Sequence, residues 1–354
     1  MTNKSKLTLV IDGNWLLMSR LAVIVGRYSD MKTLCKELNL LMIRSINLVL
    51  KTFPVIDNII FVADGGSWRN TDLEIPVFLQ SEGIKYKGNR THALSIDIDW
   101  DELFASYESF IKTLKENGIN VCKEESIEGD DWCYWWSTLL NSQNTNVIIW
   151  SKDNDLKQLV KTDKNKCFTV CWDKENGITC FDRDEGEFDF LFNFAYSEND
   201  DLFNSICNKA VNVKKINPNT IIVDKIIRGD LGDNVMPIIL KKPKSPTSTR
   251  MYRVAIKDLD FNINIFNEQD IKYYINNLCL GNYKNRVGDK SEYDVYEHFL
   301  YNRSLVTLTE DVYPERIKQI LSKYNEYSKC KDLSIVEQNI TAKQSDVQDI
   351  LDLI

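Results

Sequence analysis

Three aspartates each close a short, β-branched apolar run: Asp12 follows LTLVI, Asp64 follows NIIFVA, and Asp153 comes just after VIIWS. Runs of this length between helical stretches read as parallel strands. Parallel strands bring their carboxyl ends to one edge of a sheet, and ligands bind in the crevice there. Carboxylates gathered on such an edge repel one another unless cations lie between them. The pattern therefore confines the chain to an α/β fold and points first to a hydrolase built around divalent metal ions.

The intervening segments agree. Residues 32–51 place Leu34, Leu38, Leu41, Met42, Ser45, Ile46 and Val49 at three- and four-residue intervals, which predicts a helix. Further helices are expected over 99–116 and 129–141, with short strands at 58–63, 119–122 and 147–150. Alternating strands and helices imply a central, mostly parallel sheet flanked by helices. Beyond about residue 185 the pattern changes. A helix over 220–228, capped by Asn219 and stopped by Gly229, precedes a basic, proline-broken loop at 241–250 (KKPKSPTSTR) and further helices to about 330. The expected organisation is an α/β domain over 1–190, a mainly helical region over 191–335, and a flexible tail over 336–354 ending in VQDILDLI.

Composition excludes several classes. At 43% apolar and 11% aromatic, the 354 residues can bury a real core. No run approaches 18 apolar residues, and the start lacks a secretory pattern, so the protein is expected in the cytoplasm without a membrane span. Nine cysteines show no zinc spacing; the closest pair, Cys167 and Cys171, falls in an expected hairpin. With only His92 and His298 as histidines, free buried thiols are expected and histidine-based chemistry is not. The net charge of −8 argues against a nucleic-acid partner until the acidic clusters are set aside. Without nine such residues it becomes +1.

Those nine are distributed in clusters. IEGDD at 127–131 opens a helix, with Glu128 and Asp131 on one face and Asp130 turned about 100° away. SKDNDLKQLV at 151–160 ends a strand with Asp153 and Asp155 before an expected amphipathic helix. GDLGDN at 229–234 supplies Asp230 and Asp233. Each string alone also serves as a helix cap or a polar turn. Together with Asp12 and Asp64 they form an all-oxygen donor set suited to Mg²⁺, with Mn²⁺ as substitute, rather than to zinc. Paired ions of this kind are the usual apparatus for in-line displacement at phosphorus. YKGNR at 86–90 adds Lys87 and Arg90, positive charge that such a reaction needs nearby.

The strings VIDGN, FVADGGSWRN, YKGNR, IEGDD, SKDNDLKQLV and GDLGDN, in this order over roughly residues 7–240, make the chain resemble the structure-specific 5′-nucleases. That family comprises flap endonucleases, the 5′-nuclease domain of bacterial DNA polymerase I and phage replication exonucleases, and the phage members of the RNase H type are the most similar. The resemblance implies a nuclease domain with a helix–three-turn–helix region gripping duplex backbone. It implies two Mg²⁺ ions, the tighter held by Asp12, Asp64, Glu128 and Asp130, the second by Asp131, Asp153, Asp155, Asp230 and Asp233. Lys87 and Arg90 resemble the basic pair that contacts the scissile phosphate, Arg69 an arginine that helps hold DNA, and 88–118 the arch over the free 5′ strand. Where relatives carry a glycine-rich turn after GDxxDN, this chain has Pro237 followed by lysines. Lys241, Lys242, Lys244 and Arg250 are expected to contact phosphates instead. The implied substrates are nicked or branched duplex DNA and RNA–DNA primer junctions. A sliding clamp reached by the C-terminal peptide and a single-strand binding protein are the implied partners of a monomer. The other readings of the same residues are a non-catalytic DNA-junction binder and a shorter, toxin-type RNase of related sheet.

Overall fold

The computed structural model describes residues 6–52, 56–80, 85–88, 98–160, 167–173, 177–183, 211–239, 263–287, 290–328 and 333–341. The chain divides into two compact units: Met1–Gly66 with Leu94–Ile216 and Gln319–Ile354, and Ser67–Ala93 with Asn217–Lys318.

The first unit is built on a seven-stranded sheet. In chain order its strands are β1 (Lys6–Asp12), β2 (Asn58–Val62), β3 (Asn120–Cys122), β4 (Thr145–Trp150), β5 (Cys167–Asp173), β6 (Gly177–Arg183) and β7 (Val211–Ile216), and across the sheet they run β3-β2-β1-β4-β5-β6-β7. The first five strands across are mutually parallel; β5 and β6 form an antiparallel hairpin, and β7 runs parallel to β6. β1 is central, and Leu7, Leu9, Val10 and Ile11 are all fully buried. Burial on both faces is what a continuous apolar run in a parallel sheet requires. The three strands that carry the aspartates, β2, β1 and β4, are neighbours, so their carboxyl ends adjoin.

Four longer helices accompany them: α1 (Gly13–Ile24), α2 (Met31–Thr52), α3 (Trp100–Glu116) and α4 (Gly129–Ser142). Helix α1 has no counterpart in the sequence reading. Its segment NWLLMSRLAVI gives no 3.6-residue stripe in the sequence: the buried face of Leu16, Leu17, Leu21 and Ile24 also holds Arg20, while the exposed face carries the apolar Met18 and Ala22. Among the described cysteines Cys35, Cys122, Cys133 and Cys279 are free and buried, as expected. No helix among the described residues is long and apolar enough to cross a membrane.

Several expectations are corrected here. Within the segment matched to the arch, 88–118, residues 100–116 form α3, which buries Leu103, Tyr107, Phe110, Ile111 and Leu114 in the main core, and 89–97 lie outside the described residues. The expected helix after Asp153 is a single 3₁₀ turn, Asp155–Leu159. The domain limits also move. Residues 319–341 belong with the sheet: Asn120 on the edge strand β3 donates to the Ser328 carbonyl at 2.6 Å and accepts from the Ser328 amide at 3.0 Å. That contact covers part of an exposed sheet edge. The stretch expected to be linker from 336 is instead the helix Ser334–Thr341, with Val336 fully buried and Glu337 bonded to Arg44 and Asn47.

The described residues of the second unit include the helices α5 (Pro218–Arg228), α6 (Glu268–Tyr274, continuing as a π-helix Ile275–Asn282) and α7 (Glu292–Val306). The cap of α5 is Asn217, not Asn219: its side chain accepts from the Asn219 amide, and Pro218 takes the first helical position. Asn302 of α7 donates to the carbonyls of Ile226 and Met236, each at 2.8 Å, and so ties α5 to the segment after it. The basic loop with Lys241, Lys242, Lys244 and Arg250, together with the C-terminal VQDILDLI, lies outside the described residues.

Candidate metal centre

In the first unit, Asp12 ends β1 and caps α1. One of its oxygens accepts the Trp15 amide at 3.0 Å and the other the Ser151 hydroxyl at 2.8 Å. It is only 6% exposed. Burial, and after it the nearby carboxylates of Asp64 and Asp153, push its carboxyl up to about 7 against the pull of those two donors. Holding it ionised at neutral pH costs on the order of 4 kcal/mol, a penalty that a cation at this edge would offset.

Asp64 follows β2. Its Oδ1 accepts the amide of Gly129 at 2.5 Å, and its Oδ2 accepts the Asn14 side-chain amide at 2.8 Å. Gly129, the first residue of α4, lies close against both carboxylates: a Cβ there would lie 3.0 Å from Asp64 Oδ1 and 3.9 Å from Asp12 Oδ1. The start of α4 thus reaches two carboxylates that come from neighbouring strands. A helix N-terminus with its amide directed at a carboxylate stabilises the ionised form.

Glu128 is the N-cap of α4 and is buried, whereas Asp130 is partly exposed. Asp131 is fully buried, and its carboxylate accepts the Glu128 amide at 3.3 Å, so it serves as the cap that the alternative reading of IEGDD foresaw. Asp153 is held by its own amide, which donates to Ser151 Oγ at 3.0 Å, and its carboxylate accepts the amide of Asp155 at 2.9 Å. Ser151 therefore orders two of the acidic residues at once. The sequence reading passed over it, although a hydroxyl between a strand end and an aspartate is a signal that could be sought. The donor set is oxygen throughout and partly ionisable only at a cost, which fits a hard divalent cation.

In the second unit the GDLGDN turn is organised differently. Asp230 is ion-paired with Lys225 of α5 at 2.5 Å, and its other oxygen accepts the Gly232 amide at 2.8 Å. The Asp230 and Asp233 carboxylate oxygens lie within 4.8 Å of each other. The YKGNR segment is fastened to this turn. The amide of Lys87 donates to the Asp233 carbonyl at 2.8 Å, and the Asn234 side chain donates to the Lys85 carbonyl at 2.8 Å. Lys87 and Asn234 both hold left-handed backbone, with φ of 56° and 57°. The Lys87 ammonium lies 5.0 Å from the ring centre of the buried Tyr86. Arg90, its expected companion, lies outside the described residues.

Arg69 is a correction. It was expected to help hold DNA, yet it is 3% exposed, stacks 4.6 Å over the Trp68 ring, and donates to the Leu305 carbonyl at 2.9 Å. A guanidinium so enclosed braces the second unit and offers nothing to a phosphate backbone.

No family model and no curated protein matches the chain. Among solved structures it is similar to the bacteriophage T5 flap endonuclease in a pseudo-enzyme–product complex with DNA and metal ions, at 14% identity and a TM-score of 0.49, over 96% of this chain and 100% of that one. It is also similar to the T5 5′-exonuclease with bound zinc, at 14% identity and a TM-score of 0.46, over 91% of this chain and 100% of that one.

Proposed function

We propose that the chain is a divalent-metal-dependent, structure-specific 5′-nuclease, which hydrolyses phosphodiester bonds near free 5′ ends on nicked, flapped or RNA-primed duplexes during replication. The observation that carries this reading is the convergence of Asp12 and Asp64 on Gly129, at the carboxyl ends of adjacent strands, with Asp12 driven up to about 7 by burial and like charge. A purely structural cluster would gain by replacing such residues with neutral ones.

Asp12, Asp64, Glu128, Asp130 and Asp153 would hold the ions, with Asp155 reaching one of them through water. Asp230, already bonded to Lys225, acts by fixing the turn that carries Asp233. Magnesium bound in this set supplies Lewis acidity toward the phosphodiester and toward water. The chain's own residues do the rest. Ser151 and the amides of Trp15 and Gly129 orient the carboxylates, while Lys87, with Arg90, places positive charge where the transition state accumulates negative charge. Lys241, Lys242, Lys244 and Arg250 would neutralise duplex phosphates, and the C-terminal peptide would engage a clamp.

The test is a panel of nicked, flapped and RNA-primed duplexes with and without Mg²⁺. Asp153→Asn is expected to abolish Mg²⁺-dependent cleavage and to leave duplex affinity equal or tighter, since a charge repelling phosphate is gone. Normal cleavage of a flap by that variant would sink the ligand assignment. Affinity should fall with salt at a log–log slope of about −0.9 for each phosphate neutralised.

A further inference from the structure

Asn14, in the VIDGN string, is not itself an ionisable residue, and Tyr107 lies on α3, a helix that contributes no acidic ligand to the proposed set. Both nevertheless converge on Asp64. The Asn14 amide nitrogen donates to Asp64 Oδ2 at 2.8 Å, while its amide oxygen accepts the backbone amide of Asp64 at 3.1 Å and the Tyr107 hydroxyl at 3.3 Å. Two donors directed at one end of the amide fix which end is oxygen, and so leave the nitrogen facing the carboxylate. Asp64 Oδ1 is taken in turn by the Gly129 amide at 2.5 Å. The carboxylate is thereby oriented from two directions by neutral groups, which set its plane without neutralising its charge.

The approach of α3 to this point is built into the chain. A Cβ on Gly13 would lie 2.5 Å from the Tyr107 hydroxyl oxygen and 2.3 Å from the Phe61 ring, so only glycine admits the tyrosine here. Tyr107 is 4% exposed, and its ring stacks against Phe110, with centroids 6.4 Å apart and planes 14° apart. Burial above all, then the Asp12 and Asp64 charges, hold its hydroxyl well above the ordinary tyrosine range, which keeps it a donor at any working pH.

We propose that Asn14, braced by Tyr107, is the positioning residue for Asp64 as a metal ligand. The proposal rests on the reading of Asp64 given above. Groups that orient metal ligands in this way contribute about 10- to 100-fold to metal affinity, because an unbraced carboxylate must be ordered by the ion itself.

The test is a Mn²⁺ titration of the full chain followed by thermal shift, with melting in chelator as the measure of folding and flap cleavage as a second readout. Asn14→Ala is expected to raise the Mn²⁺ concentration for half-maximal shift about tenfold or more, with cleavage at saturating metal close to that of the parent. Tyr107→Phe keeps the ring packing, loses only the hydroxyl, and should move the midpoint in the same direction by less. In an Asp64→Asn background, Asn14→Ala should add nothing further. An unchanged midpoint for Asn14→Ala with lowered melting in chelator would reduce Asn14 to a structural hydrogen bond and overturn the proposal. Should that variant not fold, an unchanged midpoint for Tyr107→Phe overturns it equally, as does a parent protein that shows no Mn²⁺-dependent shift. A parent that binds Mn²⁺ but cuts none of the branched duplexes removes the nuclease reading and leaves this inference to be judged on the binding midpoints.

Discussion

Asp12 at the strand edge of the first unit and Asp230 in the GDLGDN turn of the second are the same residue type and are stabilised in opposite ways. Asp12 is bonded to an amide and a hydroxyl, neither charged, and is forced toward its protonated form. Asp230 has a lysine from its own unit 2.5 Å away. The first arrangement is destabilised by its own charge and gains from an external cation; the second carries its countercharge with it. An acidic motif therefore says little by itself. What distinguishes a metal ligand from a structural aspartate is whether the fold supplies the opposite charge.

The sharpest way to break this contrast is to make one substitution at both places. Asp12→Asn keeps the acceptor for the Trp15 amide and removes the buried charge, so melting in chelator should rise, with a gain of up to about 4 kcal/mol. The same variant should lose its stabilisation by Mg²⁺ and its cleavage. Asp230→Asn keeps the acceptor for the Gly232 amide but takes a carboxylate from the Lys225 ammonium, in a residue only 8% exposed. It should cost about 1–3 kcal/mol, less than a fully buried pair because both groups retain some solvent. Chemical denaturation of the two variants in chelator decides the matter. The contrast fails if both changes have the same sign.

A smaller effect follows from pH. The Asp12 carboxyl titrates at about 7 in the metal-free fold and near 3.8 when unfolded, so between these values the folded state binds more protons. Stability from this group is therefore fully present below about 4 and is lost as pH rises to about 7. A divalent ion competes with that proton. The upward shift in melting produced by Mg²⁺ should grow across the same window and level off above about 7. Equal shifts at pH 5 and pH 8 would show that Asp12 does not bear the ion.

Much of this was legible in the sequence because parallel strands and strand-end aspartates are local patterns. β1, β2, β3 and β4, helices α2 to α4, and the acidic residues at the carboxyl ends of β1, β2 and β4 all follow from runs of a few residues. Helix α1 was not legible, since its exposed face carries Met18 and Ala22 and its buried face Arg20, which hides the period from the sequence. Nor were Ser151, Asn14 and Tyr107, which act through partners 139, 50 and 93 positions away. Lys225 and Asp230 lie close in sequence, yet only the turn after α5 brings them together. Arg69 was assigned to DNA by the resemblance alone, and nothing local in the sequence shows that it is enclosed. Charge reads out by type, whereas compensation of charge depends on the folded neighbourhood.

Gly129 offers the finest test of that neighbourhood. Alanine there would bring a methyl group 3.0 Å from Asp64 Oδ1, a separation the carboxylate can relieve only by moving a few tenths of an ångström. The methyl group also favours the helix, by up to about 1 kcal/mol in an interior position and less at its start. Gly129→Ala should therefore melt in chelator at or slightly above the parent temperature while requiring several-fold more Mg²⁺ for half-maximal cleavage. No structural aspartate in the second unit has such a dependence, so the matching control is Gly232→Ala, whose Cβ would meet Asp230 Oδ1 at 3.2 Å. That control should change stability and raise the Mg²⁺ requirement by less than Gly129→Ala does. If instead Gly232→Ala raised the Mg²⁺ requirement as much as Gly129→Ala, Asp230 would be a ligand on equal terms with Asp64, and its bond to Lys225 would be one the ion displaces.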